Sequence, residues 1–353
     1  MNGLGVSLAS RSGLSATEVG EFAQSAEAAG FSAVFVSERC ADGLALAHRA
    51  LQATDTVTVG TAIANARLRH PALTALTAAT LAEESGGRFV LGLGVANAAL
   101  NEQALGLPPI RSLQYMREYV GVLRTVLGGE PEPPAGEYFT GSGFVPDRLP
   151  TAKVPIFLAG LLPKMLALAG ELGDGVLLNL MTTAGLPKVS QHIEAGLARA
   201  GRTRDDIVLA CLLPCCISTD VEAAARAARQ VVAGYAMHPA AGQLFSDSGF
   251  TDVLLEVRER TVAGDKQAAD SVSDEMIDAL VAHGRPDVLP DRIRAYRDAG
   301  VDLPILFPMP VDDGWSTSIH HVISAAKTHR ATKTSDARLT EEPFPQRKDV
   351  QHV

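Results

Sequence analysis

Eight short apolar runs recur along the chain, and helical patterns of apolar and polar positions lie between them. The runs show almost no polar alternation, which is typical of strands in a parallel sheet that is buried on both faces. They occupy residues 4–9, 33–36, 57–62, 89–94, 155–160, 175–180, 207–215 and 303–308. Eight strands that alternate with helices predict an α/β fold of the (β/α)8 TIM barrel type. A doubly wound sheet is the alternative, although no G-x-G-x-x-G motif follows the first run to favour it.

The clearest strand–helix–strand unit runs from Thr58 to Leu93 and reads TVGTAIANARLRHPALTALTAATLAEESGGRFVLGL. Pro71 fits the first helical position, where its missing N–H costs nothing. Gly86 or Gly87 fits the left-handed cap at the end of the helix. If this unit repeats around a barrel, the chemistry is expected at the carboxyl ends of the strands.

Two segments interrupt the alternation of strands and helices. Residues 128–153 are rich in proline and glycine, and residues 237–273 separate the seventh run from the last helical pair. We expect one barrel domain over residues 1–327, with both segments inserted at its C-terminal rim as covers of the active site. Residues 328–353 are polar and aperiodic, which predicts a C-terminal tail.

The composition argues against several classes of partner. The 353 residues are 46% hydrophobic and 20% charged, which supplies enough apolar side chains for a large core. The formal net charge is −9 and no basic stripe occurs, so we expect no nucleic-acid partner. No apolar run approaches the ~18 residues of a membrane span, and no signal peptide is recognised. These features predict a cytoplasmic protein without a membrane partner.

The four cysteines are Cys40, Cys211, Cys215 and Cys216. The last three lie in or beside one apolar run, which favours buried thiols over a metal or redox site. No H-x-x-x-H pair or acidic cluster indicates a metal ion, and we predict none.

Four segments in this order and spacing carry a resemblance to a known family. They are GTAIANARLRHP with the following helix and SGGRFVLGLG, LNEQALGL at 100–107, VPIFLAGLLPKMLALAGELGDGVLLN at 154–179, and GRPDVLPDRIRAYRDAGVD at 284–302. With them the chain resembles the bacterial-luciferase-like superfamily, whose (β/α)8 barrels use reduced flavin or the deazaflavin coenzyme F420. Its motifs are most similar to those of the methylenetetrahydromethanopterin-reductase branch, which uses the deazaflavin.

The resemblance implies a cofactor site on three strand ends. After the third run it implies a cis peptide bond between Ala62 and Ile63 beneath the flavin ring, with Asn65 close by. After the fourth run, Asn97 is a candidate that either binds the cofactor or caps a helix. After the fifth run, a helix start is expected to bind the cofactor phosphate through free N–H groups. That segment consists of Ala159, Gly160, Leu161, Leu162, Pro163 and Lys164.

The second run ends in Val36-Ser37-Glu38-Arg39-Cys40, where relatives carry an acid followed by histidine. Glu38 matches the acid, whereas Arg39 stands in place of the histidine and cannot shuttle protons near neutral pH. Glu38 and Arg39 are therefore the predicted catalytic pair, in which Arg39 supplies fixed positive charge and Glu38 orients Arg39 or holds a substrate hydroxyl. A surface ion pair without a catalytic role is the alternative.

Three functional hypotheses follow. The first is a coenzyme F420-dependent oxidoreductase that moves a hydride between the deazaflavin and a small organic substrate. The second is a luciferase-like monooxygenase that uses reduced FMN and oxygen. The third is a non-catalytic barrel that binds flavin or a metabolite, which is supported by the absence of the histidine and of an acid that relatives carry at their strand ends. The resemblance also implies a homodimer.

Overall fold

A computed structural model describes residues 3–8, 12–128, 136–140, 144–238, 240–246, 248–312 and 314–333. Its strands are β1 (Gly5–Leu8), β2 (Ala33–Val36), β3 (Thr58–Thr61), β4 (Ala64–Asn65), β5 (Phe89–Gly94), β6 (Ile156–Ala159), β7 (Gly175–Asn179), β8 (Val208–Ile217), β9 (Ala282–Gly284) and β10 (Leu303–Pro308). Its α-helices are α1 (Ala16–Ala28), α2 (Gly43–Gln52), α3 (Pro71–Glu84), α4 (Ser112–Gly128), α5 (Pro163–Leu172), α6 (Leu186–Arg199), α7 (Val221–Ala236), α8 (Ala241–Ser246), α9 (Thr251–Val262), α10 (Asp274–Leu280), α11 (Leu289–Asp298) and α12 (Gly314–Lys333).

Eight of these strands form a closed parallel barrel. They follow the order β1, β2, β3, β5, β6, β7, β8 and β10, and β10 pairs with both β8 and β1. At the closure, Ile305 pairs with Leu212 on one side and with Gly5 on the other. Each barrel strand falls within or overlaps one of the eight apolar runs, so the predicted (β/α)8 fold is confirmed. Two short strands were not predicted: β4 pairs with β5, and β9 pairs with β8.

Side chains of the barrel strands alternate between two apolar layers. One set fills the barrel interior and includes Phe35, Val90, Phe157, Leu177 and Ile305. The other set packs between the strands and the surrounding helices. Both sides of the sheet are therefore dry, which explains why the runs lack polar alternation.

The helix signals in the sequence are local, and the structure reproduces them. Ser15 and Glu18 form the capping box at the start of α1. Pro71 is the first residue of α3, and its preceding residue His70 caps the helix by accepting a hydrogen bond from Ala72 N–H at 3.2 Å.

The two predicted insertions differ in structure. Residues 237–273 contain α8 and α9, which pack with α7 and with Leu180 after β7 in a separate apolar cluster. Residues 136–140 and 144–153 have no regular secondary structure, and the other residues of 129–153 lie outside the described part of the chain. The last helix α12 continues to Lys333 and so extends into the predicted tail, whose residues 334–353 are not described.

Candidate active site at the barrel rim

The carboxyl ends of the barrel strands meet at one rim, and the backbone is irregular at three of them. The Ala62–Ile63 peptide bond after β3 is cis, as the resemblance implies. Ala96 after β5 has φ 52° and Leu180 after β7 has φ 53°, although neither residue is glycine. Such positive φ values are uncommon for residues with a side chain and concentrate at functional sites. The rim is therefore the candidate active site.

The cis peptide is held by hydrogen bonds to the neighbouring strand. Ala62 N–H donates to Val36 O at 2.8 Å, and Glu38 N–H donates to Ile63 O at 3.0 Å. Ala62 and Ile63 are half-buried and pack against the interior layer of the barrel. The backbone after β2 is thus fixed directly beside the cis bond.

The Glu38 carboxylate is buried and accepts three hydrogen bonds. Its Oε1 accepts from the Arg69 guanidinium at 2.6 Å and from Gly43 N–H at 3.2 Å. Its Oε2 accepts from Asn65 N–H at 2.8 Å, so the carboxylate connects β2 to the segment that follows the cis bond. The expectation that Glu38 orients Arg39 is corrected: the cation on Glu38 is Arg69, which the chain brings to it from the loop before α3.

Arg69 binds a second carboxylate, that of Asp42, at 2.7 Å. Asp42 also caps α2 by accepting from Leu44 N–H and Ala45 N–H. Burial alone raises the pKa of Asp42, but the hydrogen bonds from Ala45 and Arg69 outweigh it and leave that pKa below its ordinary value. Burial lowers the pKa of Arg69, but the carboxylates of Glu38 and Asp42 together outweigh it and leave that pKa above its ordinary value. Glu38, Asp42 and Arg69 thus form one cluster that hydrogen bonds and ion pairs hold in place.

Arg39 lies at the rim with an exposed side chain, and no ion pair of Arg39 occurs in the described ranges. Its neighbour Cys40 is also exposed, whereas Cys211, Cys215 and Cys216 are buried free thiols. The buried-thiol interpretation is confirmed for these three cysteines. Arg39 keeps its guanidinium available to an anionic group, and its catalytic role stays a prediction.

The predicted asparagines are engaged with the protein itself. Asn65 is 2% exposed, and its Nδ2 donates to Asn101 Oδ1 at 2.8 Å. Asn101 Nδ2 donates in turn to Val95 O beside the strained position after β5. Asn97 accepts from Leu100 N–H at 2.9 Å and so caps the following turn. Of the two roles considered for Asn97, the structure thus displays the cap, and cofactor contacts of Asn65 and Asn97 stay predictions.

The turn between β6 and α5 contains the predicted phosphate-binding residues. Leu162 occupies the N-cap position of α5 and, having no polar side chain, makes no capping hydrogen bond. Pro163 is the first helical residue, and Lys164 beside it is exposed. Pro163 has no N–H, and the N–H groups of Met165 and Leu166 donate to Leu162 O. The Lys164 N–H is therefore the donor of this first turn that can meet an anion, since Leu162 supplies no side-chain cap.

Gly160 shapes the same turn. A Cβ at this position would lie 3.2 Å from Leu166 Cδ2 and from Leu166 N, which is tighter than ordinary contact. Ala159 faces the barrel interior, and Leu161 packs against the outer apolar layer. Small size at position 160 thus keeps the backbone accessible in front of α5.

A polar pair that was not predicted lies at the end of β7. Asn179 Nδ2 donates to the Tyr235 hydroxyl at 2.9 Å, while Asn179 Oδ1 is buried and has no hydrogen-bond partner in the described structure. Burial raises the pKa of Tyr235, so its phenol stays protonated at neutral pH. No signal in the sequence joins these two residues, because 56 positions separate them.

Comparison with known proteins decides the family. The model of the luciferase-like monooxygenase family matches residues 4–303. The chain belongs to this family. The predicted resemblance is confirmed, and the protein is a luciferase-like enzyme.

Two relatives lie in the branch that the motifs indicated. The 5,10-methylenetetrahydromethanopterin reductase of Archaeoglobus fulgidus is 35% identical over 253 residues, which are 70% of this chain and 76% of that protein. The solved structure of the coenzyme F420-dependent tetrahydromethanopterin reductase from Methanopyrus kandleri matches with a TM-score of 0.80 and 27% identity, covering 93% of this chain and 99% of that one. An F420-dependent secondary alcohol dehydrogenase shares the fold, with a TM-score of 0.74 and 22% identity over 92% of this chain and 98% of that one.

The described residues contain neither a metal-binding cluster nor a membrane-spanning helix. No group of three or more His, Cys, Asp or Glu is placed there to hold a metal ion. None of the helices in the described ranges is long and apolar enough to cross a membrane.

Proposed function

We propose that this enzyme is a coenzyme F420-dependent oxidoreductase that transfers a hydride between the deazaflavin and a small organic substrate. The names of its relatives support the cofactor, because both the Methanopyrus kandleri reductase and the secondary alcohol dehydrogenase are described as F420-dependent. The observation that carries the proposal is the turn at Gly160 before the uncapped start of α5, at the same barrel rim as Glu38 and Arg39.

The residues present fit a phosphate-bearing planar cofactor. The start of α5 offers the Lys164 N–H and the positive end of a helix dipole to a phosphate. A Cβ at Gly160 would fill the space in front of that helix, since it would lie 3.2 Å from Leu166. Ala62 and Ile63 supply a small residue and an apolar side chain toward the barrel mouth.

A bound deazaflavin supplies hydride transfer, and the protein supplies position and electrostatics. Ala62, Ile63 and the segment 159–164 would hold the ring and the phosphate. Glu38 accepts hydrogen bonds from Gly43 N–H, Asn65 N–H and Arg69, so it acts as a fixed anchor of the backbone next to Ala62 and Ile63. Arg39 is the exposed cation at this rim position and would stabilise negative charge that develops on the substrate.

A fluorescence titration of the purified protein tests the cofactor. We expect F420 to bind more tightly than FMN, and the absorbance of oxidised F420 to fall when a suitable alcohol or reduced substrate is added from a panel. Tight binding of FMN without binding of F420 would instead favour the FMN monooxygenase hypothesis. Binding of either cofactor with no turnover on any substrate would favour a non-catalytic barrel.

The homodimer and the cytoplasmic location remain part of the proposal. Leu73 and Leu76 on α3 are 54% and 37% exposed, which is an apolar surface that a second subunit would cover. Light scattering after size-exclusion chromatography would give the mass of a dimer, and a monomer mass at micromolar concentration would contradict the proposal.

A further inference from the structure

A groove of about 430 Å³ crosses the outer surface of α4, α5 and α6. It begins at Pro163 and Lys164, in the first turn of α5, and extends across α6 to Arg199. Arg117 of α4 and His192 of α6 line it as well. The groove is therefore continuous with the proposed phosphate site and leads away from it over the helical layer.

The groove is basic on a chain whose formal net charge is −9. Arg117 forms a two-pronged ion pair with Glu171, at 2.5 Å and 2.8 Å. Hydrogen bonds from Arg117 lower the pKa of Glu171, so this carboxylate is charged and already satisfied. Lys164 and Arg199 are exposed, and neither forms an ion pair within the described ranges. Arg199 lies close enough to Glu171 to help lower the pKa of that carboxyl, so three cations, Arg117, Lys164 and Arg199, stand against this one carboxylate along the groove.

We propose that this groove binds the acidic tail of the coenzyme, a chain of carboxylates that continues beyond the phosphate. The inference rests on the proposed function and deepens it. A ligand whose phosphate lies at the start of α5 would have its next groups beside Lys164, from where the groove leads to Arg199. Coenzyme F420 carries glutamate residues beyond its phosphate, whereas FMN ends at the phosphate. The groove would therefore contribute to the selection of F420 over FMN.

Charge changes on α6 test the proposal without touching the phosphate site. Ala195 lines the groove and is exposed, and Ala198 is exposed on the same helix but does not line it. Ala195→Glu and Ala198→Glu are therefore matched variants that add the same charge to one helix. Arg199→Gln removes a groove cation. Fluorescence titrations at low salt would use F420, a truncated coenzyme that keeps the phosphate but lacks the acidic tail, and FMN.

We expect Ala195→Glu and Arg199→Gln to weaken F420 binding about threefold to fivefold each, as for exposed charge pairs. Binding of the truncated coenzyme and of FMN should not change. In 0.5 M salt the difference in F420 affinity between variants and parent should largely disappear, because the screening length falls to about 4 Å. Ala198→Glu should bind all three ligands like the parent protein.

The titrations distinguish failure of the groove proposal from failure of the proposed F420 dependence. Equal losses in Ala195→Glu and Ala198→Glu, or equal losses for tailed and truncated coenzyme, would overturn the groove while leaving F420 dependence intact. Failure of the parent protein to bind F420 at all would overturn the proposed function and this inference together.

Discussion

Replacing Arg69 by methionine removes the cation that lies between Glu38 and Asp42. The Glu38 side chain is 3% exposed and that of Arg69 is 18% exposed, so the pair is largely withdrawn from solvent. Methionine preserves the apolar stem of arginine but donates no hydrogen bond. Glu38 would keep its hydrogen bonds from Gly43 N–H and Asn65 N–H and lose its only short contact with a cation in the described structure.

The expected cost is large because a buried charge is left without its partner. Removing one member of a buried ion pair costs about 3–5 kcal/mol. Arg69 retains some exposure, and two backbone N–H groups still donate to the Glu38 carboxylate. We therefore expect a loss of unfolding free energy at the lower end of this range, about 3 kcal/mol. Glu38→Gln combined with Arg69→Met removes the stranded charge, and this double variant should regain about half of the loss.

Equilibrium urea unfolding followed by circular dichroism measures these differences. Arg226→Met is the control. Arg226 forms an ion pair with Asp312 at 3.3 Å, and the two side chains are 62% and 70% exposed. Because exposed ion pairs contribute little, this substitution should change the free energy of unfolding by less than about 1 kcal/mol. The reasoning would be refuted if Arg69→Met cost no more than the control, or if the double variant lost the sum of the two single losses.

Three further outcomes are expected. Arg39→Ala should lower turnover by more than about tenfold with little change in cofactor affinity, and Arg39→Lys should restore part of it; full turnover in Arg39→Ala would make this residue a surface cation only. Gly160→Val should weaken F420 and FMN alike in titrations, because its Cβ would lie 3.2 Å from Leu166; unchanged affinity would remove this turn from the cofactor site. Glu27 is partly buried, which raises its pKa, but hydrogen bonds from Thr56 and its neighbours outweigh burial and lower that pKa below 4.5. Its stabilising contribution is therefore present above pH 4.5 and lost as the pH falls below it. Glu27→Gln should lower stability at pH 7 and flatten the acid side of the stability profile, whereas the exposed Glu21→Gln should not.

Much of the fold could be predicted because its signals are local. Each barrel strand coincides with an apolar run, since burial on both faces removes polar residues from the whole strand. Ser15 with Glu18 marked the start of α1, and Pro71 marked the start of α3. The short strands β4 and β9 escaped prediction, because strands of two and three residues carry no periodicity.

Local sequence signals predict only part of the candidate site. The cis bond at Ala62–Ile63 followed from family motifs, and no pattern of residue types would have indicated it. The sequence predicts Arg39 as the partner of Glu38 because the two residues are adjacent in the chain. In the structure Arg69 takes that place, 31 positions away. Adjacent residues at a strand end point in different directions, so neighbours in sequence need not be neighbours in space.

The sequence by itself determined the eight strands, the helix starts and the family, because each depends on periodicity, caps or motifs within a short segment. Only the tertiary structure decided which polar groups meet: Glu38 with Arg69, Asn65 with Asn101, and Asn179 with Tyr235. It likewise decided that three helices form one basic groove beside the proposed phosphate site. Barrel closure and helix packing bring these distant residues together, and the free energy of a buried charge or amide depends on that three-dimensional environment and not on chain order.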